Sequence, residues 1–159
     1  MFEPFKGNYV WNLQVNLALV CGGNHGEVDE ACRPILEAAA NGEDAGTELL
    51  FDSWIAVAKQ VEENARKDEE EGYLLSAGTK YARASGYYLS AERMQSRDYA
   101  PRWEAYDKGL ALYRKHVECS GLHVDFVDIP YEGTSYPAIF VHDGSGIKRP
   151  ALVSVNGLD

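Results

Sequence analysis

Arg149-Pro150-Ala151-Leu152-Val153-Ser154-Val155-Asn156-Gly157-Leu158-Asp159 closes the 159-residue sequence, and how it is read decides the fold. Ala151 to Val155 is β-branched and almost wholly apolar, as expected of a strand in a sheet covered on both faces. Asn156-Gly157 then reads as a turn. Two shorter strand signals stand upstream. His123 to Ile129 alternates polar and apolar residues with period two, and Tyr136 to His142 is a second apolar run. The short Pro130-Tyr131-Glu132-Gly133 connection between them favours an antiparallel hairpin. Asp143-Gly144-Ser145-Gly146 is a further turn. Three strands make a small sheet, and the last one, read as interior, would leave an edge unpaired. The expectation is that further polypeptide or a partner chain covers that edge, with continuation the favoured reading.

Some 120 mostly helical residues precede the strands. Residues 9–20 fit both periods: Trp11, Leu13, Val15, Leu17 and Leu19 alternate, while Trp11, Val15 and Ala18 share a helix face. The helical neighbourhood tips the reading to helix. Val28, Cys32, Ile35 and Leu36 mark a helix over 27–40, which Pro34 kinks or delays. After a loop at 41–46, Thr47 reads as an N-cap. Phe51, Trp54, Ile55, Ala58 and Val61 then form an apolar stripe. Leu74, Ala77, Tyr81, Ala84, Tyr88 and Ala91 form a second stripe, whose alanines admit a close helix neighbour. Trp103, Tyr106, Leu110, Tyr113 and Val117 form a third, with Pro101 near its start and Gly121 just past its end.

Apolar residues make up 45% of the chain and charged residues 25%, ordinary values for a globular protein. The net charge of -10 argues against nucleic acid or an anionic membrane surface as a partner, since both require clustered Lys and Arg. The run Asp68-Glu69-Glu70-Glu71 reads as a solvated helix end rather than a metal site. Cys21, Cys32 and Cys119 show no metal-ligand spacing, and a sparse, odd count suits a reducing compartment. With no signal peptide and no apolar run of about 20 residues, the expected location is cytoplasmic. No metal and no organic cofactor is expected.

Three stretches carry a resemblance. Tyr81-Ala82-Arg83-Ala84-Ser85-Gly86-Tyr87-Tyr88-Leu89-Ser90-Ala91-Glu92 resembles the tyrosine-rich cap helix of one group of α/β hydrolases. That group includes bacterial 2,6-dihydroxypseudooxynicotine hydrolase and fungal pigment-pathway hydrolases that shorten polyketides. Ile129 to Ala138 is similar to the group's first sheet hairpin, and Arg149 to Asp159 to its third strand and oxyanion loop. The resemblance implies an α/β architecture: a helical cap over 1–121, then the first three strands of an incomplete hydrolase sheet over 122–159. The whole enzyme would hydrolyse a carbon–carbon bond beside a ketone, or an ester, in a small aromatic or polyketide-like substrate. This chain would need the remainder of the hydrolase core as its partner and would be inactive alone. Members of the group commonly pair through such domains, so a homodimer is an expectation of the same kind.

In such enzymes a serine nucleophile sits at a G-x-S-x-G elbow, followed by an acid and a histidine. None of these is identified within 1–159: Gly144-Ser145-Gly146 precedes the third strand and reads as a loop. His25, His116, His123 and His142 have no Ser or Cys elbow to activate. By resemblance, the backbone of Gly157 and Leu158 would contribute to the oxyanion hole; read without it, Asn156-Gly157 is simply a turn. Among the tyrosines, Tyr81, Tyr88, Tyr106 and Tyr113 lie on packing seams and read as core. Arg83 and Tyr87, four apart on a neighbouring face, are the better candidates for touching substrate. The alternative reading is a non-catalytic helical interaction module, but no 34-residue repeat recurs and such a module has no place for the strand-rich tail.

Overall fold

A computed structural model describes residues 2–43 and 46–155. They form two compact units, Met1–Gly121 and Leu122–Asp159. The first holds α1 (Tyr9–Val20), α2 (His25–Ala40), α3 (Gly46–Glu70), α4 (Leu74–Arg93) and α5 (Pro101–Ser120). The second holds β1 (Val124–Tyr131) and β2 (Thr134–Val141).

Helix α4 is the centre of the first unit: α3, α5 and α1 all pack against it, and α2 packs on α3. The α3 stripe and the α4 seam behave as their spacing requires. Phe51, Trp54, Ala58 and Val61 are buried against Ala77, Tyr81, Ala84, Tyr88 and Ala91. Leu50, Val15, Val28, Cys32 and Ile35 complete the core. Each such side chain contributes roughly 1.5–3 kcal/mol by leaving water. Residues 9–20 are helical, and Asn8 caps them by accepting the Trp11 N–H at 3.1 Å. The buried Asn12 side chain bonds both N–H and C=O of Phe5, at 2.9 and 2.8 Å, and so ties the N-terminal segment to α1. Helix α2 runs through Pro34.

Helix α5 turns a different face inward from the one its large residues suggest. Ala105, Gly109, Leu112, Val117 and Cys119 are buried, whereas Trp103 is 50% exposed and Tyr106 and Leu110 are also exposed. The reason is close approach. A Cβ on Gly109 would lie 3.0 Å from Leu89, one on Gly78 would collide with Ser120, and Ser85 Oγ donates to the Gly109 carbonyl at 2.7 Å. Small residues let the two backbones meet, and the bulky ones are left outside. Gly121, at φ 61°, closes α5 in the left-handed conformation glycine adopts without strain. Thr47 does not cap α3, which begins at Gly46; its carbonyl instead accepts Gln95 Nε2 at 2.7 Å.

In the second unit β1 and β2 pair antiparallel, from Val124 opposite Val141 to Tyr131 opposite Thr134. That register leaves a two-residue turn at Glu132-Gly133. Both residues have positive φ, 46° and 80°, the pattern of a type I′ hairpin turn. The expected third strand is not present: 151–155 is irregular, and Leu152 is 95% exposed. Apolar, β-branched composition alone does not make a strand; its N–H and C=O groups must find a neighbouring ladder. The described sheet has two strands.

Candidate functional site

The buried tyrosines of α4 are held by carboxylates in a repeating arrangement. Tyr81 donates its hydroxyl to Glu69 at 2.6 Å, and Lys115 donates to the same carboxylate at 2.7 Å. One heptad away, Tyr88 donates to Glu62 at 3.0 Å, and Lys108 sits 2.6 Å from that carboxylate. Residues 62 and 69, 81 and 88, and 108 and 115 are each seven apart, so one layer repeats the other two helical turns along α3, α4 and α5. Burial and the adjacent carboxylates push both phenol pKa values well above the usual tyrosine range.

Arg83 and Tyr87 occupy a third cluster of this kind. Tyr87 is 1% exposed and donates to Glu27 at 2.6 Å, while Arg83 forks onto the same carboxylate at 3.0 and 3.1 Å. The Asn24 N–H donates to the Tyr87 oxygen at 2.8 Å, so the hydroxyl is used as donor and acceptor. Burial, with the Glu27 bond second, raises the Tyr87 pKa. These two candidates therefore join α2 to α4 through Glu27. Gly157 and Leu158 lie outside the described residues.

Asp68, Glu69 and Glu70 of the acidic run at the end of α3 are paired, as their position demands. Carboxylates at a helix C-terminus oppose the dipole, and here Lys80 and Ser76 bond Asp68, Lys115 and Tyr81 bond Glu69, and Arg66 bonds Glu70. Among the described residues no group of three or more His, Cys, Asp or Glu side chains is placed to hold a metal. No described helix is long and apolar enough to cross a membrane.

Among the described residues one Ser–His hydrogen-bonding approach is found, Ser120 Oγ to His116 Nδ1 at 3.1 Å. The Gly78 carbonyl lies 2.9 Å from the same nitrogen and can only accept. Nδ1 therefore carries the proton and cannot take one from the serine, so the pair lacks the base a nucleophile requires. His142 Nδ1 accepts the Gly144 N–H at 3.1 Å, and the His142 ring stacks on His123 at 5.5 Å, inside the hairpin unit. Among the thiols, burial and Asp29 push Cys32 up to about 12, which makes it inert at neutral pH.

Grooves open among the described residues of the helical unit, and two of them have well-defined linings. The larger, about 550 Å³, runs between α3 and α5, with Phe51, Ile55 and Lys59 on one wall, Pro101, Glu104 and Lys108 on the other and Tyr88 in its lining. The smaller, about 170 Å³, lies between α1 and α4, lined by Gln14, Leu17, Cys21, Gly86, Leu89 and Arg93. Beside it Gln14 Nε2 donates to the Ser90 carbonyl, while Gln14 Oε1 is buried without a hydrogen-bond partner. An unmet acceptor of this kind costs about 1–3 kcal/mol. Neither groove follows from residue spacing. The one signal for the smaller is Gly86, a glycine in the middle of a helix.

No family model matches the chain. An alpha/beta hydrolase, xenA of Xenoacremonium sinensis, is 36% identical to it over 109 residues, which cover 65% of this chain and 26% of that protein. This likeness supports an α/β-hydrolase family for the chain. The chain spans about a quarter of the length of the curated relative it matches.

Proposed function

We propose that this chain is the cap-bearing N-terminal region of a serine-dependent α/β hydrolase acting on an aromatic or polyketide-like ketone or ester. The observation that carries the reading is the 36% identity to an α/β hydrolase over 109 residues. The element order is compatible with it: a five-helix unit, a glycine stop at Gly121, then an antiparallel hairpin. In this reading the helical unit shields the reacting centre from water and limits substrate size. A serine from a G-x-S-x-G elbow further along the polypeptide attacks the substrate carbonyl while a histidine takes its proton. Backbone N–H groups at Gly157 and Leu158 receive the developing oxyanion. Arg83 and Tyr87 are the residues proposed to face the substrate, held in place by their shared contact with Glu27.

Labelling the native protein with a fluorophosphonate and mapping the adduct by mass spectrometry tests this. The expected result is a single modified serine in a G-x-S-x-G context beyond residue 159, with residues 1–159 unlabelled and inert towards p-nitrophenyl acetate. A labelled serine within 1–159, or turnover by that segment surviving repeated purification, overturns it.

A further inference from the structure

Two imidazoles of the hairpin unit close on a single glycine. His123 and His142 stand opposite each other at the open end of the sheet. There the His142 N–H donates to the His123 carbonyl at 3.0 Å, and the rings stack with centroids 5.5 Å apart. The chain then turns back onto them. Gly144, at φ 70°, donates its N–H to His142 Nδ1 at 3.1 Å, and a Cβ on it would lie 2.6 Å from His123 Nε2. A backbone N–H can only donate, so Nδ1 offers its lone pair and the proton of the neutral ring sits on Nε2. Nε2 lies 3.5 Å from the Asp125 carboxylate of β1. Protonation therefore exchanges the ring's partners: a proton on Nδ1 sets two donors against each other and breaks the Gly144 bond, while the cation gains Asp125. The turn beyond has bonds of its own, since Asp143 accepts the Ser145 hydroxyl and N–H, at 2.6 and 3.0 Å, and pairs with Arg149 at 2.7 Å. The Ser145 bonds, then that of Arg149, hold Asp143 below the usual carboxylate range, so it keeps its charge where histidine titrates. The charged and titratable groups set around His142 are thus His123 and Asp125 on the β1 side, and Asp143 with Arg149 on the turn.

We infer that His142 is a proton-operated latch on the turn that follows β2: neutral, it holds Gly144 against the two imidazoles; protonated, it pairs with Asp125 and releases the turn at 143–147. A second proton, on His123, drives the same release, because two cations stacked at 5.5 Å repel. The sign is fixed by the Nδ1 lone pair. The turn is closed when the ring is neutral and opens as pH falls through the range, about pH 8 to 5, in which histidine changes charge. The latch lies wholly within the hairpin unit and does not depend on the hydrolase reading.

Long-range ¹H–¹⁵N spectra of the ¹⁵N-labelled 159-residue chain read the ring tautomers, and ordinary amide spectra the turn, from pH 8 to 5. At pH 8 His142 is expected as the Nε2–H tautomer. As pH falls, the amides of 143–147 are expected to shift in step with the His142 ring. Protection of the Gly144 amide, corrected for its intrinsic exchange rate, should drop about fivefold, the factor one net hydrogen bond supplies. His142→Asn puts a carbonyl oxygen near the place of Nδ1 and takes up no proton, so it is expected to keep Gly144 protected at pH 5. His142→Phe keeps a ring and removes the acceptor, so it should show the open turn already at pH 8. The inference is overturned if His142 is the Nδ1–H tautomer at pH 8, if the 143–147 amides do not follow its titration, or if His142→Asn opens as the native chain does. Should either variant unfold the hairpin, the tautomer and the native titration decide the matter without it.

Discussion

Raising the pH should unfold the helical unit cooperatively, because Tyr81, Tyr87 and Tyr88 keep their protons only while it is folded. Each tyrosine is buried and its partly buried hydroxyl donates to a carboxylate, so the folded pKa lies above the unfolded value. The sign follows from linkage. A raised folded pKa contributes stability that is complete below the unfolded value, near 10, and is lost as pH rises towards the folded one. One pH unit above the unfolded value, each tyrosine costs the fold about 1.4 kcal/mol, and three together about 4 kcal/mol. Against a total of roughly 5–15 kcal/mol for a domain, that is a large fraction. The assay is absorbance at 295 nm and circular dichroism at 222 nm on the same samples from pH 8 to 13. The last rise in phenolate absorbance should coincide with loss of helix, and Tyr88→Phe should reduce that step by one tyrosine. Complete phenolate absorbance at pH 11 with the helical signal unchanged would refute the reasoning, since at least three phenols must stay protonated in the fold.

Three further outcomes follow. Gly78→Val should destabilise by about 1–3 kcal/mol through overpacking against Ser120, whereas Gly86→Ala, with open space before it, should stabilise by about 0.5–1 kcal/mol; urea midpoints distinguish the two. The Lys80 hydrogen bond, then that of Ser76, lowers the Asp68 pKa, and the Lys115 bond, then that of Tyr81, lowers that of Glu69. The stability these carboxylates contribute is therefore present above the unfolded carboxylate range and lost as pH falls below about 4; Asp68→Asn with Glu69→Gln should flatten the acid limb of the melting temperature against pH. Finally, Leu152, Val153 and Val155 are almost fully exposed, so the 159-residue chain should self-associate with concentration in sedimentation velocity, and Leu152→Lys with Val153→Lys should suppress it.

How much of this could be read from residues alone depended on whether the governing contact was local. The α3 stripe and the α4 seam were legible because helical period and large apolar side chains point the same way at Phe51, Trp54, Tyr81 and Tyr88. At α5 they point apart. Trp103, Tyr106 and Leu110 carry the more conspicuous rhythm, yet Ala105 and Gly109 make the contact, because close helix packing rewards smallness and that becomes visible only with the partner helix in place. The strand expected at 151–155 failed for a related reason: a strand is defined by its neighbour, and composition says nothing of whether one is present. Glu27, Glu62 and Glu69 were illegible as tyrosine partners, since a glutamate on a helix reads as solvated until the facing helix supplies a hydroxyl.

Those glutamates bear on how the helical unit could recognise anything. Tyrosine is commonly assigned to substrate recognition because its hydroxyl is a ready donor at the edge of an apolar ring. In this unit the hydroxyls of Tyr81, Tyr87 and Tyr88 are committed to carboxylates, and Lys115, Arg83 and Lys108 hold those carboxylates in turn. To recruit any of these tyrosines, a ligand would have to break a charge-assisted bond and leave a carboxylate short of a donor, which costs more than a neutral replacement bond returns. Any selectivity in the helical unit would therefore not draw on these hydroxyls, and the two Tyr–Glu–Lys layers act instead by setting how α3 and α5 are spaced. Substitutions at the layers should consequently change the groove between α3 and α5 through their effect on helix spacing.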